Sequence, residues 1–127
     1  MTRDERAQLA WQFLVNAATN RQIVTYTMLA DAIGMGAGTL AQVLGSIMYY
    51  CEQQDLPPLT ALVVKKDTGI PGVGLTTLED LASDRERVFS YEWLKMLPPS
   101  ADRFRRAYET GAASELSGDT PAEHHGA

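Results

Sequence analysis

The sequence predicts a mainly helical α+β domain in which three helices precede a β-hairpin. Two observations carry this: apolar residues recur at helical spacing over residues 3–19 and 39–54, and a β-branched segment runs into Gly and Pro over residues 59–75. With 127 residues, 45% of them hydrophobic, the chain can bury one core without disulfides or metals. We expect one domain over residues 1–110, followed by a disordered acidic tail over residues 111–127.

The first helix is predicted over residues 3–19. Leu9 and Phe13 belong to an apolar series with a spacing of four residues, which places them on one helix face. Asp4 and Glu5 lie in the first turn, where the helix dipole favours negative charge. The pattern therefore indicates an amphipathic helix at the start of the domain.

A short extended segment and a second helix follow. Residues 23–26 are β-formers, and Thr27 is a candidate N-cap for a helix over Met28–Ile33 that Gly34 ends. Glycines lie at positions 34, 36 and 38, but a dinucleotide-binding loop would follow a strand, whereas these glycines follow a helix. We interpret the glycines as a turn between helices.

The third helix, over residues 39–54, has the clearest periodicity. Its apolar stripe comprises Leu40, Val43, Leu44, Ile47, Met48 and Cys51. Its other face presents side chains that form hydrogen bonds and carry no positive charge: Thr39, Gln42, Ser46, Tyr49 and Gln53. We expect this face to be exposed and Tyr49 to project away from the core.

The segment "LTALVVKKDTGIPGVGL" predicts the hairpin. Leu59–Lys66 forms the first strand, Asp67–Gly69 the turn, and Ile70–Leu75 the returning strand. A proline in the returning strand restricts it to an edge. The hairpin would present Lys65 and Lys66 beside its tip, and no helix begins close enough to the glycines to form a phosphate cradle.

Two further helices are predicted after the hairpin. Thr76 and Glu79 match a capping box, and apolar residues continue at helical spacing to Leu97, although the stretch "VFSYEW" is also compatible with a strand. Ser100 is a candidate cap for a last helix. Its apolar face comprises Ala101, Phe104, Ala107 and Tyr108.

Three helices followed by a hairpin is the element order of a winged helix-turn-helix domain. The stretch "IVTYTMLADAIG" resembles the start of the DNA-binding domain of alkyltransferase-like proteins, which carry the pattern Val-x-Thr-Tyr-x-x-Leu-Ala-x-x-Ile-Gly. The matching residues are Thr25, Tyr26, Leu29, Ala30, Ile33 and Gly34. The resemblance covers about residues 23–75 and implies that the next helix is the recognition helix.

The resemblance does not extend to the chemistry of that family. A Pro-Cys-His-Arg motif is expected shortly before the hairpin, whereas the chain reads "LPPLTALVV" there, without cysteine or histidine. The arginine expected on the recognition helix is also missing, and Gln42 lies near its place. The chain is similar as well to short proteins of unassigned function from bacterial and phage genomes, which supplies no activity.

Charge and chemistry exclude several classes of function. The net charge is −5, but residues 107–127 hold four acids and no Lys or Arg, so the remainder is nearly neutral and can carry a local basic patch. His124 and His125 lie in the expected tail, where nothing holds them as general bases. We expect no catalytic residue, no metal site and no cofactor.

The compartment is expected to be the cytoplasm. Cys51 is the single cysteine, which suits a reducing compartment, and we expect it to be a small buried hydrophobic residue. The charged start of the chain is unlike a secretory signal, and no apolar run is long enough to cross a membrane.

Two classes of function remain. In the first, the chain is a non-enzymatic module that binds double-stranded DNA, with Thr39, Gln42, Ser46 and Gln53 on base edges and Lys65 and Lys66 on phosphates. A homodimer would offset weak contacts of one monomer. In the second, the Tyr49 face or the acidic tail binds a protein partner, as in an inhibitor or immunity protein directed against a nucleic-acid-processing enzyme. Arg105 and Arg106 are expected to pair with the tail.

Overall fold

The computed structural model describes residues 1–72 and 80–116. This part of the chain is mainly helical with a small two-stranded sheet, so the predicted mainly helical α+β class is confirmed. The elements are α1 (Arg3–Thr19), β1 (Val24–Thr25), α2 (Tyr26–Ile33), α3 (Leu40–Gln53), β2 (Val63–Val64), α4 (Leu81–Ser90) and α5 (Ala101–Leu116). Short 3₁₀ segments cover Ala37–Thr39, Leu59–Leu62 and Trp93–Lys95.

The core lies where α1, α3 and α5 meet. Trp11 of α1 is its centre: the indole ring lies 5.8 Å from Tyr50 of α3, 5.8 Å from Phe104 of α5 and 5.5 Å from Trp93. Edge-to-face and tilted arrangements at these distances add favourable ring contacts to the burial of apolar area. Three elements far apart in sequence are therefore joined through one side chain.

Helix α1 has the predicted bounds. Thr2 caps it, because its hydroxyl accepts from the Glu5 N–H and the Glu5 carboxylate accepts from the Thr2 N–H. This reciprocal pair satisfies two backbone donors that the helix leaves open at its start.

Helix α2 begins two residues before the predicted start. The N-cap is Thr25 rather than Thr27, since the Thr25 hydroxyl accepts from the Met28 N–H at 3.1 Å. Thr25 still has extended backbone angles at the end of β1, so the strand passes directly into the helix. Gly34 ends the helix as predicted, with a φ of 73° that favours glycine.

The sheet differs from the predicted hairpin. Val24 pairs with Val63 and Thr25 with Val64, and the two strands are parallel. The predicted strand Leu59–Lys66 is wrong over Leu59–Leu62, which forms a 3₁₀ helix. Two prolines precede it, and the Ala61 N–H donates to the Pro58 carbonyl at 2.9 Å, which starts a helical turn instead of an extended chain.

The predicted turn after β2 is present. The Lys65 N–H donates to the Ile70 carbonyl at 2.9 Å, and the Gly69 N–H donates to the Lys65 carbonyl at 2.8 Å. Gly69 has a φ of 70°, a conformation that favours glycine. The predicted returning strand lies partly outside the described residues, and Ile70–Gly72 pairs with no strand there.

The segment "VFSYEW" is helical up to Ser90, and its strand alternative is wrong. The Trp93 indole N–H donates to the Val88 carbonyl at 2.8 Å, which folds the chain back over the end of α4. The capping box of Thr76 and Glu79 lies outside the described residues. Leu97, expected in the apolar series, is 89% exposed because the helix ends before it.

Helix α5 continues farther than expected. It begins after Ser100, whose hydroxyl accepts from the Arg103 N–H at 3.2 Å, and it ends at Leu116. The boundary predicted at residue 111 therefore lies inside the helix. Gly111 is buried against α3, and this packing supplies the stabilisation that the composition of the segment does not indicate.

Candidate nucleic-acid and partner interface

The structure separates the seven predicted site residues into two groups. Thr39, Gln42, Lys65 and Lys66 are exposed. Ser46, Tyr49 and Gln53 contact other parts of the protein, because α5 lies along the C-terminal half of α3.

Ser46 is fully buried, and its predicted exposure is wrong. Its hydroxyl donates to the carbonyl of Gln42, one turn earlier, at 3.3 Å. The Tyr108 ring of α5 packs close to the neighbouring Gly45. Ser46 is therefore unavailable to bases or to a partner in this conformation.

Tyr49 does not project freely, and this prediction is also wrong. Its ring lies 5.9 Å from the Tyr108 ring in an edge-to-face arrangement and contacts Gly111. Burial, together with a hydrogen bond to Glu115, raises the pKa of the Tyr49 hydroxyl well above its ordinary value. Tyr49 joins α3 to the end of α5.

Gln53 is exposed, but its side chain is hydrogen-bonded to α5. Its side-chain amide donates to the Ala107 carbonyl of α5 at 2.9 Å. The contacts of Ser46, Tyr49 and Gln53 together remove the C-terminal half of α3 from the predicted interface.

The N-terminal end of α3 stays open. Thr39 and Gln42 are exposed, as is Ala41 between them. The Thr39 hydroxyl donates to the Gly36 carbonyl at 3.0 Å and does not cap the helix. The first turn of α3 therefore combines accessible side chains with backbone N–H groups that Thr39 leaves uncapped.

The turn that carries Lys65 and Lys66 is anchored from two sides. The Arg85 guanidinium of α4 donates to the Gly69 carbonyl at 3.1 Å, and the Tyr26 hydroxyl of α2 accepts from the Gly72 N–H at 3.0 Å. These anchors hold the backbone, so the two lysines extend from a fixed base. Sequence reasoning missed both roles, since nothing local relates Arg85 or Tyr26 to the turn.

The parallel register relates the turn to α2. Thr25 and Val64 are partners at the ends of β1 and β2, so Tyr26 and Lys65 leave the sheet at the same edge. The start of the helix pair α2–α3 and the two lysines therefore lie next to each other in the fold.

Most other cations are paired. Arg21 lies 2.9 Å from Glu86, Lys95 3.0 Å from Glu92, and Arg87 3.6 Å from Asp84. Within the described ranges, no carboxylate lies within 4.0 Å of Lys65, Lys66 or Arg103.

The predicted pairing of Arg105 and Arg106 with the tail is wrong for the residues that the structure describes. Both arginines bond to Asp102, one helical turn away, and Arg105 also bonds to Glu109 at 3.1 Å. These partners lie three or four residues apart on one helix face, so they meet without any distant segment.

A second exposed feature is apolar. Leu94 and Leu97 are 76% and 89% exposed, and Leu94 borders a groove of about 360 Å³ between α1 and the Trp93–Lys95 segment. The groove is lined by Trp11, Gln12, Val15, Asn16, Thr19, Trp93, Leu94, Met96 and Pro98.

Two further structural features bear on other kinds of function: the grouping of metal-ligating side chains and the character of the helices. Over residues 1–72 and 80–116, no group of three or more His, Cys, Asp or Glu side chains is arranged to hold a metal ion. None of the helices in those ranges combines the length and apolar character needed to cross a membrane. Comparison with protein-family models, curated proteins and solved structures finds no match to the chain.

Proposed function

We propose that the protein is a small nucleic-acid-binding module of the winged-helix type, which docks on duplex DNA through the first turn of α3 and the Lys65–Lys66 turn. The observation that carries this proposal is an anchored turn beside the start of α2 whose two lysines have no carboxylate partner among residues 1–72 and 80–116. Lysines without a carboxylate partner can neutralise phosphates and release counterions, which is the main source of affinity for DNA.

The exposed end of α3 supports the same proposal. In helix-turn-helix proteins, the N-terminal residues of the recognition helix contact the base edges. Thr39 and Gln42 occupy that end, and a Gln amide can form two hydrogen bonds with adenine. Helix α5 packs on Tyr49 and accepts a hydrogen bond from Gln53, but these contacts leave the N-terminal end of α3 free. A role as a regulator of a bacterial or phage element is consistent with such a module.

The double variant Lys65→Glu/Lys66→Glu tests the proposal. We expect weaker binding to every duplex alike, with the slope of log affinity against log salt reduced by about two at most, because phosphates carry no sequence information. Gel-shift and anisotropy titrations at roughly physiological salt, where the Debye length is about 8 Å, measure the effect.

The double variant Arg87→Glu/Lys95→Glu is the matched control. It changes the net charge by the same amount at cations that already have carboxylate partners. Equal losses in both variants would mean that total charge, and not the turn, controls binding. Absence of any shift with the wild-type protein at micromolar concentration would reject DNA binding.

Gln42→Ala tests base reading separately. The substitution should reduce the discrimination between bases at one position of the site by about 1–3 kcal/mol. The slope of log affinity against log salt should stay unchanged. Thr27→Ala, at an exposed side chain of α2, is the control for a neutral surface change.

A protein-interaction module is the second candidate, and the exposed Leu94 and Leu97 favour it. Leu94 also borders a groove, and exposed apolar surface of this kind is typical of sites that bind proteins. The net charge of −5 would suit an inhibitor of an enzyme with a basic groove. Leu94→Ser/Leu97→Ser should then abolish co-purification of the partner while duplex binding is unchanged. Co-purification that is unaffected by the double substitution would reject this surface.

A further inference from the structure

A cleft lies between the end of α3 and α5. Its volume is about 240 Å³. It is lined by Tyr50, Gln53, Gln54, Arg103, Arg106, Ala107 and Thr110. Two of these residues are arginines and none is acidic, in a chain whose net charge is −5.

Helical spacing builds the two walls. Arg103, Arg106 and Thr110 are separated by three and four residues, so they share one face of α5. The opposite wall comes from the last turn of α3. The Gln53 amide bonded to the Ala107 carbonyl at 2.9 Å joins the walls, and the Tyr50 ring, 5.6 Å from Phe104, fixes them to the core.

The two arginines differ in their partners. The Arg106 Nε donates to Asp102 at 2.9 Å, which orients its guanidinium. Asp102 is shared with Arg105, and hydrogen bonds from both arginines lower the pKa of this carboxyl, so Asp102 is charged at neutral pH. Arg103 has no carboxylate within ion-pair distance among the described residues. Within the described part of the chain, the positive charge of Arg103 is therefore not compensated by an ion pair.

We propose that this cleft binds a phosphate group. No acidic residue is found among the described residues of the lining, which disfavours a cation, and the polar lining disfavours an apolar ligand. Guanidinium groups form paired, charge-assisted hydrogen bonds with phosphate oxygens. The amide of Gln54 and the hydroxyl of Thr110 supply further donors at the rim.

The site is separate from the Lys65–Lys66 turn, so the inference goes beyond the proposed DNA contact. The phosphate can belong to a small phosphorylated molecule or to a nucleic acid, since both present the same oxygens. Binding at the cleft does not depend on the turn, and the double variant Lys65→Glu/Lys66→Glu should retain it.

A titration of the full-length protein with inorganic phosphate, followed by amide chemical shifts, tests the site. We expect saturable shifts at residues of the cleft, and Arg103→Gln should weaken binding about tenfold or more, as expected for a lost hydrogen bond between charged groups. Arg105→Gln is the matched control, since it removes the same charge from the same helix at a residue that does not line the cleft. Its affinity should stay within about twofold of wild type.

Two results would overturn the proposal. One is a set of shifts that are not saturable and that chloride reproduces at equal ionic strength. The other is equal loss of affinity in Arg103→Gln and Arg105→Gln. Folding of each variant is checked by its melting temperature, and Arg103→Lys, which keeps the charge, should recover part of the affinity.

The source of the phosphate is resolved by competition. A nucleoside monophosphate and a short duplex with or without a 5′-phosphate are titrated in turn. Displacement of bound inorganic phosphate by the monophosphate alone identifies a small ligand, and displacement by duplex identifies a nucleic acid; either result supports the site. If neither the monophosphate nor either duplex displaces inorganic phosphate, the proposal is wrong, because the bound ion is then an adventitious ion only.

Discussion

Gly45 and Gly111 control how closely α3 and α5 approach. A Cβ on Gly45 would lie 3.2 Å from the Tyr108 ring, and a Cβ on Gly111 would overlap the ring of Tyr49. Each glycine therefore accommodates an aromatic ring of the opposite helix. The rings of Tyr49 and Tyr108 also contact each other, which makes these four residues one packing unit.

Gly111→Ala should destabilise the protein. At a solvent-exposed position of a helix, Gly→Ala stabilises the protein by up to about 1 kcal/mol. Overlap of the new Cβ with an aromatic ring costs roughly 1–3 kcal/mol, so we expect the free energy of unfolding to decrease. Urea denaturation followed by circular dichroism measures the free energy of unfolding. Gly36→Ala is the control, since a Cβ there meets no atom within 4 Å. A gain in stability at Gly111 would mean that α5 does not pack on Tyr49.

The packing of α5 on α3 determines which residues of the predicted interface are accessible. It buries Phe104 and Ala107 against the core and accepts the hydrogen bond of Gln53. The same contacts cover the C-terminal half of α3, so a single element both stabilises the fold and restricts the surface available for binding.

Truncation distinguishes α5 from the residues that follow it. Removal of residues 117–127 should leave the melting temperature nearly unchanged, because that segment has no large apolar residue to bury. Removal of residues 101–127 should prevent cooperative folding, since the loss of Phe104 alone costs about 3–5 kcal/mol. Differential scanning calorimetry compares the two. Equal behaviour of both truncations would show that α5 is not part of the core.

Cys51 reports on the whole molecule. It is 2% exposed, and burial raises the pKa of its thiol to about 12. The raised pKa keeps the thiol protonated in the folded protein. Its contribution to stability is therefore complete below the thiol pKa of an unfolded chain, about 8.5, and is lost as the pH rises through the thiol pKa of the native protein.

We expect Cys51 to be inert to a thiol reagent at pH 8 and to react only when the protein unfolds. The rate should rise with denaturant in parallel with the unfolded fraction. A Leu97→Cys substitution in a Cys51→Ala background is the control, because position 97 is exposed and should react at once. Fast reaction of native Cys51 would mean that the core opens locally around α3.

The charge distribution also acts on the molecule as a whole. Residues 107–127 account for four of the five net negative charges, and most cations of the described part are paired on the surface. Any affinity for DNA must therefore come mainly from a few cations, so a single copy should bind weakly and with a small salt slope.

Local patterns were sufficient to predict α1, α3 and the start of α5, because a helix needs only an apolar stripe, a cap and a stop within its own segment. Ser100 provided the cap of α5, and Gly34 provided the stop of α2. Local patterns also predicted the burial of Cys51, which lies on the stripe of α3.

Tertiary structure decided the partners of each surface. The parallel pairing of Val24 with Val63 joins segments almost forty residues apart, and no local signal distinguishes it from a hairpin. Ser46 and Tyr49 are polar residues on the side of α3 opposite its stripe, so the sequence predicted exposure. They are covered because Gly45 and Gly111 let a second helix approach, and such an approach depends on the shape of both helices and not on the hydrophobicity of either one.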